Sequence, residues 1–173
     1  MMRPVLSNQL QPAASNTCDS IEVELRHPFT FAIVASTKTT LSLSGNANCL
    51  FNNISSGNYY IAVKHRNTIE TWSALPVSIT TNCNYNFTSA ANKAYGNNQV
   101  EVASGVWAFY SGDVIKNMSE SIDLIDLAAL ETDISNFESG YFSTDINGDG
   151  NVDIMDAAVV DKNINSFIFS NHL

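Results

Sequence analysis

Residues 145–156 read Asp-Ile-Asn-Gly-Asp-Gly-Asn-Val-Asp-Ile-Met-Asp, a run in which oxygen-bearing side chains recur at fixed intervals. If the run is numbered as a twelve-residue loop, Asp or Asn occupies positions 1, 3, 5, 9 and 12. Calcium takes about six to eight oxygen ligands, and a loop of this length can present them from these positions. A glycine at position 6, Gly150, permits the sharp turn that such a loop requires. We therefore predict a calcium site whose ligands are Asp145, Asn147, Asp149, Asn151 (through its backbone carbonyl), Asp153 and Asp156.

A solvated turn rich in Asp, Asn and Gly, without any metal, is the alternative interpretation of this run. Oxygen-bearing side chains at these intervals would repel one another without a cation, which favours calcium. The loop closes with Asp156 where an EF-hand loop has Glu, so it indicates a different subtype. Val152 at position 8 is apolar, and we expect it to pack against a partner loop.

The calcium loop belongs to a duplicated unit, because residues 121–137 can be laid over residues 151–167 with a constant offset of 30. Both copies carry an apolar stripe at helical spacing, which predicts two helices that bury each other's stripes. The matching stripe residues are Leu127, Leu130, Ile134 and Phe137 in the first copy, and Ala157, Val160, Ile164 and Phe167 in the second.

The first copy of the loop is degenerate. Asp123 and Asp126 match positions 9 and 12, but the span from Asp113 is fourteen residues rather than twelve, and it has no glycine. Two interpretations stay open for this segment: a metal-free pseudo-loop, or a second cation site in a wider loop. The predicted ligands of that second site are Asp113, Asn117, Asp123 and Asp126.

The chain before residue 111 has the pattern of strands rather than helices. Short apolar–polar alternations at 21–25, 41–43, 77–79 and 100–102, and a more continuous apolar run at 59–63, are separated by Ser, Gly and Asn turns. Short strands at this spacing predict an antiparallel β-sandwich. The predicted organisation is an extended arm over 1–19, a β-sandwich over 20–110 and a calcium-binding domain over 111–173. The predicted fold class is α+β, a sandwich followed by an all-α pair.

Composition and charge exclude some classes of function. The net charge of −9 is local, because residues 113–173 contain twelve Asp and Glu against two Lys, whereas residues 1–112 contain five against six Lys and Arg. No basic face exists to neutralise phosphates, so we expect no nucleic-acid partner. No apolar run is long enough to span a membrane. The three cysteines, Cys18, Cys49 and Cys83, allow one disulfide and a free thiol, or three buried thiols.

The sequence carries no recognisable catalytic motif. His27, His65 and His172 are scattered, and no Ser or Cys nucleophile is placed near a base. We interpret His65 as a structural hydrogen-bonding residue and predict that the chain is not an enzyme. Five aromatic residues, which are more typical of a sandwich core, are candidates for a sugar-binding face: Trp72, Trp107, Tyr59, Tyr60 and Tyr110.

The duplicated loop–helix unit, closed by Asp in its intact copy, resembles a dockerin module. The wider chain resembles C-terminal regions of secreted bacterial proteins, in which a prealbumin-like β-sandwich precedes a dockerin-like pair, and the resemblance lies at 2–9, 58–67, 70–73, 93–96 and 110–113. This resemblance implies export to the bacterial surface or medium, where calcium is millimolar. It also implies attachment to a cohesin-bearing scaffold, often in polysaccharide-degrading assemblies.

The chain departs from those families at two points, and it also carries a candidate glycosylation site. Many dockerins carry Ser or Thr at loop positions 10 and 11, whereas this chain has Leu124-Ile125 and Ile154-Met155. These apolar pairs could dock a partner or be buried against the β domain, and we expect burial because exposed apolar pairs promote aggregation. The family has a further β-strand before residue 2, and its lack would leave an open sheet edge for strand addition, unless the start reflects only where the sequence was cut. The tripeptide at 19–21 resembles a bacterial O-glycosylation pattern, which makes Ser20 a candidate acceptor.

Three functions are compatible with these features. We favour an extracellular, calcium-binding structural protein that self-associates into oligomers or fibres through its arm or open sheet edge. The alternatives are an attachment module that docks to a cohesin-like scaffold, and a carbohydrate-binding module that uses the aromatic residues to bind a glycan.

Overall fold

The computed structural model describes residues 5–8 and 16–173. Its strands and α-helices, in chain order, are α1 (Val5–Asn8), β1 (Thr17–Arg26), β2 (Ile33–Ser42), β3 (Gly57–His65), β4 (Thr68–Trp72), β5 (Val77–Ile79), β6 (Val100–Ala103), β7 (Val106–Ala108), α2 (Leu124–Ser135) and α3 (Ile154–Asn165). Most of the predicted arm, residues 1–4 and 9–15, lies outside the described residues. The rest of it supplies α1 and the first residues of β1.

A five-stranded antiparallel sheet dominates the first two thirds of the chain. Its strand order is β2-β1-β3-β4, with β5 pairing to β3, and β6 and β7 form a separate hairpin. Neighbouring residues of a strand point to opposite faces, so Ile61 and Ala62 of β3 contribute to different apolar clusters. Ile61 packs with Leu25 and Tyr59, and Ala62 packs with Tyr60 and Trp72. Apolar residues therefore pack on both faces of the sheet at β3, whereas no residue of the edge strand β2 is buried.

The duplicated unit forms two helices of twelve residues each. Each helix begins with a capping box in which an Asp at the N-cap and an Asp three residues later bond each other's backbone N–H groups. The stripes pack together as predicted, because Leu130 and Val160 are both fully buried in one cluster. Phe137 and Phe167 are exceptions: they lie beyond the helix ends and are 90% and 84% exposed.

The predicted fold class is wrong. The chain is mostly β, and besides the four-residue α1 the described residues contain only two α-helices. Those helices do not form a separate all-α unit, because their core cluster also includes Ile69 of β4 and Tyr110. The segments around the helices are turns and loops joined by isolated β-bridges, Ser121 with Phe169 and Ser139 with Asn151, and a further bridge joins Thr68 of β4 to Ser111. Burying one apolar face against the sheet is cheaper than maintaining a second core in so short a segment.

None of the helices in the described ranges is long and apolar enough to cross a membrane. The cysteines are free thiols in the structure, and their burial differs: Cys18 is buried, Cys49 is half-buried and Cys83 is exposed. Neither of the two interpretations left open by the sequence, a disulfide with one free thiol or three buried thiols, matches this arrangement. Burial raises the pKa of the thiols of Cys18 and Cys49 above the ordinary value.

Candidate metal centre

The loop at 145–156 is wrapped around the buried carboxylate of Asp145. One carboxylate oxygen of Asp145 accepts hydrogen bonds from the backbone N–H groups of Gly148 (2.8 Å) and Asp149 (3.1 Å), and the other accepts one from Gly150 (3.1 Å). Gly150 has a φ of 91°, a conformation that favours glycine, so the predicted turn at position 6 is confirmed. The backbone thus holds Asp145 at the start of the loop in a fixed orientation.

Asp156 closes the loop from the first turn of α3 and is fully buried. Its two carboxylate oxygens accept the backbone N–H groups of Asn147 (2.9 Å) and Asp153 (3.0 Å). Burial raises the pKa of Asp156, and the charge of Asp145 adds to this increase against the opposing backbone hydrogen bonds. Two acids are therefore buried close enough to interact, an arrangement that a bound cation would stabilise.

The residues present fit calcium by the chemistry of their donors. Two buried carboxylates lie among the polar side chains of Asn147, Asp149 and Asp153, and hard oxygen donors of this kind suit calcium. Among the described residues, no group of three or more His, Cys, Asp and Glu side chains is arranged to hold a metal ion. The predicted ligand set also includes an amide, from Asn147, and the backbone carbonyl of Asn151. The loop as a calcium site remains a prediction.

Position 8 of the loop pairs as expected. Val152 is buried in the same cluster as Ile122, its equivalent in the first copy. The backbone N–H of Val152 donates to Glu138 (3.1 Å), and that of Ile122 donates to Ile168 (2.9 Å). The end of each helix therefore bonds the loop of the other unit, and the two units are tied at both ends.

The first loop has the same closing residues but a different interior. Asp126 accepts the backbone N–H groups of Val114 and Ile115, each at 2.9 Å, and of Asp123 at 3.0 Å. The Asp113 carboxylate accepts a hydrogen bond from the ammonium group of Lys116 at 2.9 Å. Burial raises the pKa of Asp113, and the contact with Lys116 opposes that increase.

The other two predicted ligands of the first loop bond hydroxyl groups. The Asn117 side-chain oxygen accepts from the backbone N–H and hydroxyl of Ser119, at 2.8 and 2.6 Å. One oxygen of Asp123 accepts the hydroxyl groups of Ser119 (3.1 Å) and Ser121 (3.3 Å).

Residues from the N-terminal two thirds of the chain contact the calcium loop and the segment just before it, and the sequence analysis did not predict these contacts. The Asn67 side chain donates to the backbone carbonyl of Asp145 (3.3 Å), and Arg66 donates to the carbonyl of Phe142. A Cβ atom placed on Gly148 would lie 2.6 Å from the side chain of Val5, so α1 packs directly on the loop. Side-chain pairs so far apart in sequence leave no periodic signal that sequence analysis can detect.

The apolar pairs at loop positions 10 and 11 are exposed, so the prediction that they are buried against the β domain is wrong. Leu124 and Ile125 are 70% and 56% exposed, and Ile154 and Met155 are 76% and 64% exposed. They occupy the first turn of each helix on the side away from the stripe that packs into the core. Each of the two units therefore exposes an apolar pair at the same position of its helix.

The remaining candidates are His65, the five aromatic residues and Ser20, and the structure shows where each of them lies. His65 bonds Asp19 (3.0 Å) and Asn67 (3.0 Å), as expected for a structural hydrogen-bonding residue. Tyr59, Tyr60 and Trp72 are buried, which confirms that they are core residues and leaves only Trp107 and Tyr110 partly accessible. Ser20, the candidate glycosylation site, is exposed on β1.

Comparison with known proteins yields only a likeness of fold. The sequence matches no protein-family model, and no curated protein is significantly similar to it. Two solved structures of the type II cohesin–X-dockerin complex from Acetivibrio cellulolyticus contain chains that are 16% identical to this one. A C-terminal interface mutant matches with a TM-score of 0.50 over 88% of this chain and 86% of that chain. An N-terminal interface mutant matches with a TM-score of 0.49 over 86% and 82%. The likeness supports a β-sandwich module and does not show a dockerin-like C-terminal module.

Proposed function

We propose that this chain is a non-catalytic, calcium-binding assembly module that acts outside the cell and associates with further copies of itself. The observation that supports calcium binding is the loop folded around the buried carboxylate of Asp145. Asp145 and Asp156 are buried within one loop, and a divalent cation would balance their charges. Asn147, Asp149, Asn151 and Asp153 would complete the oxygen shell, and the bound ion would supply countercharge and rigidity rather than chemistry.

An open sheet edge supports association with other copies. Strand β2 pairs with β1 along one side, and on the other side residues 46–48 cover only its end, through the bridge of Leu41 with Ala47 and a bond from Thr39 to Asn48. Within the described residues the edge from Ile33 to Lys38 is therefore open to strand addition. The exposed apolar pairs of α2 and α3 add surface of the kind that protein partners cover.

A cohesin-like scaffold is the second candidate partner, favoured by the fold likeness to a chain of a cohesin–X-dockerin complex. In this case the module would be a monomer that binds its partner in calcium. A glycan partner is less favoured because three of the five candidate aromatic side chains are buried.

The test is negative-stain microscopy with light scattering of the purified chain, in millimolar calcium and in EGTA. We expect oligomers or fibres in calcium that disperse in EGTA. Asp145→Asn removes a buried loop charge and should prevent assembly, whereas Asp161→Asn, on the exposed face of α3, should leave it intact. A monodisperse monomer in both conditions would reject self-association, and binding to immobilised cohesin in calcium would then decide for the scaffold.

A further inference from the structure

Lys116 belongs to the first loop, and its ammonium group bonds the carboxylate of Asp113, the residue that opens this loop as Asp145 opens the second. Its ammonium group donates three hydrogen bonds: to the carbonyl of Thr68 (2.6 Å), the carbonyl of Asp113 (2.8 Å) and the carboxylate of Asp113 (2.9 Å). An ammonium group has three donors, so all of them are used. Three oxygen atoms therefore surround the ammonium group of Lys116, which is a cation supplied by the chain itself.

The equivalent positions of the two units show the contrast. Asp113 and Asp145 each open a loop and are each buried, but backbone N–H groups from a glycine-containing turn surround Asp145. The first loop has no glycine, so its backbone does not close in this way, and the carboxylate of Asp113 meets an ammonium group instead.

The other predicted ligands of the first loop are engaged within the protein. Asn117 and Asp123 accept hydroxyl and backbone groups of Ser119 and Ser121, and Asp126 accepts three backbone N–H groups. Backbone N–H groups bond Asp156 in the second loop as they bond Asp126 here, so these bonds do not distinguish the two loops. The difference is that a calcium ion in the first loop would have to displace Lys116 from the carboxylate of Asp113. The same lysine also bonds Thr68, the first residue of β4, and so anchors the loop to the sheet.

We propose that the ammonium group of Lys116 is the resident cation of the first unit, and that the chain therefore takes one calcium ion, in the second unit alone. The role of Lys116 is argued from its contacts, whereas the count of one calcium ion rests on the proposed calcium site at 145–156. The first unit is then formed with or without calcium, and of the two units only the second binds the ion.

The first experiment counts calcium ions bound by the unaltered chain, by isothermal titration calorimetry. We expect one equivalent, lost in Asp145→Asn and retained in Asp113→Asn. Two equivalents, one of them lost in Asp113→Asn, would overturn the proposal. This measurement requires no variant of Lys116, so it decides the issue even if such a variant folds poorly.

The second experiment separates this proposal from the proposed calcium site. Thermal unfolding is measured in EGTA for Lys116→Met and for Lys162→Met, a matched change of the other lysine in residues 113–173, which is exposed on α3. The Lys116 side chain is 47% exposed, and its three bonds predict a midpoint about 4 °C lower for Lys116→Met alone. Equal midpoints for the two variants would overturn the proposal. If no calcium binds at all, the proposed calcium site fails, and the melting comparison still decides the role of Lys116.

Discussion

Asp19 lies at the centre of a buried polar cluster that joins β1 to the segment before the calcium loop. Its carboxylate accepts hydrogen bonds from the hydroxyl of Tyr141 (2.6 Å) and the backbone N–H of Ser20 (2.7 Å), and it pairs with Arg66 (2.9 Å) and His65 (3.0 Å). Burial alone would raise the pKa of Asp19, but the hydrogen bonds and positive charges around it outweigh burial and lower that pKa well below its ordinary value.

The lowered pKa of Asp19 predicts how stability depends on pH. Since the folded state has the lower pKa, the contribution of Asp19 is fully present above the unfolded pKa of about 3.9 and is lost as the pH falls through the folded pKa. Asp19→Asn should reduce the free energy of unfolding by about 3 kcal/mol at pH 7, because it removes one partner of a buried ion pair. The difference from the unaltered chain should shrink below about pH 4.

Urea denaturation at a series of pH values measures this effect. The matched control is Asp161→Asn, which removes an acid that is exposed on α3 and should change stability little at any pH. A constant difference between Asp19→Asn and the unaltered chain down to pH 2 would show that the cluster does not depend on the charge of Asp19.

The two helices end in the same way, and each end carries an unusual residue. At the end of α2 the backbone N–H of Phe137 donates to Ile134 and that of Glu138 donates to Asp133, which is the Schellman arrangement. Phe167 and Ile168 make the equivalent bonds at the end of α3. Phe137 and Phe167 have φ values of 55° and 52°, in the left-handed region where glycine is the usual residue.

Replacing these phenylalanines with glycine should stabilise the isolated chain. A side chain in the left-handed conformation costs roughly 1–2 kcal/mol, and the greater freedom of glycine in the unfolded state cancels part of the gain. We expect Phe137→Gly to raise the free energy of unfolding by up to about 1 kcal/mol, because the exposed ring loses few contacts. Thermal and urea denaturation in saturating calcium measure the change.

Asn136→Gly is the matched control for this substitution. Asn136 immediately precedes Phe137, is exposed and has ordinary helical backbone angles, so glycine relieves no strain there and should lower stability. A loss of stability in Phe137→Gly as large as that in Asn136→Gly would mean that the ring makes contacts in solution that compensate for its strain.

Sequence reasoning succeeded at the scale of elements where the signal is local. The two helices at a 30-residue offset, the turn at Gly150 and the packing of Val152 on the other loop follow from short segments, and all are present in the structure. Reasoning from periodicity failed where the outcome depends on partners distant in the chain. An apolar stripe shows that a helix is buried on one side but not which element covers it, and this is why Ile69 of β4 was missed as part of the helix core.

At the scale of the whole molecule, the calcium loop is held by parts of the chain that are far from it in sequence. Val5 of α1 packs on Gly148, Asn67 from the turn between β3 and β4 bonds the carbonyl of Asp145, and Arg66 bonds the carbonyl of Phe142. The backbone carbonyl of Asn67 also accepts the N–H of Gly112 at 2.7 Å. Any ordering of the loop by calcium should therefore reach the sheet through this turn.

Hydrogen exchange in calcium and in EGTA tests this coupling. We expect calcium to slow amide exchange at residues 138–156 and also in β3 and β4, because opening of the sheet at the turn would break its bonds to an ordered loop. Asn67→Ala removes the bond to Asp145 and should confine the calcium effect to residues 138–173. Asn58→Ala, a matched change at an exposed position of β3, should keep the effect on the sheet. If calcium slows exchange in the unaltered chain only within residues 138–173 and not in β3 or β4, the loop and the sheet open independently. The contacts of the turn would then not couple them.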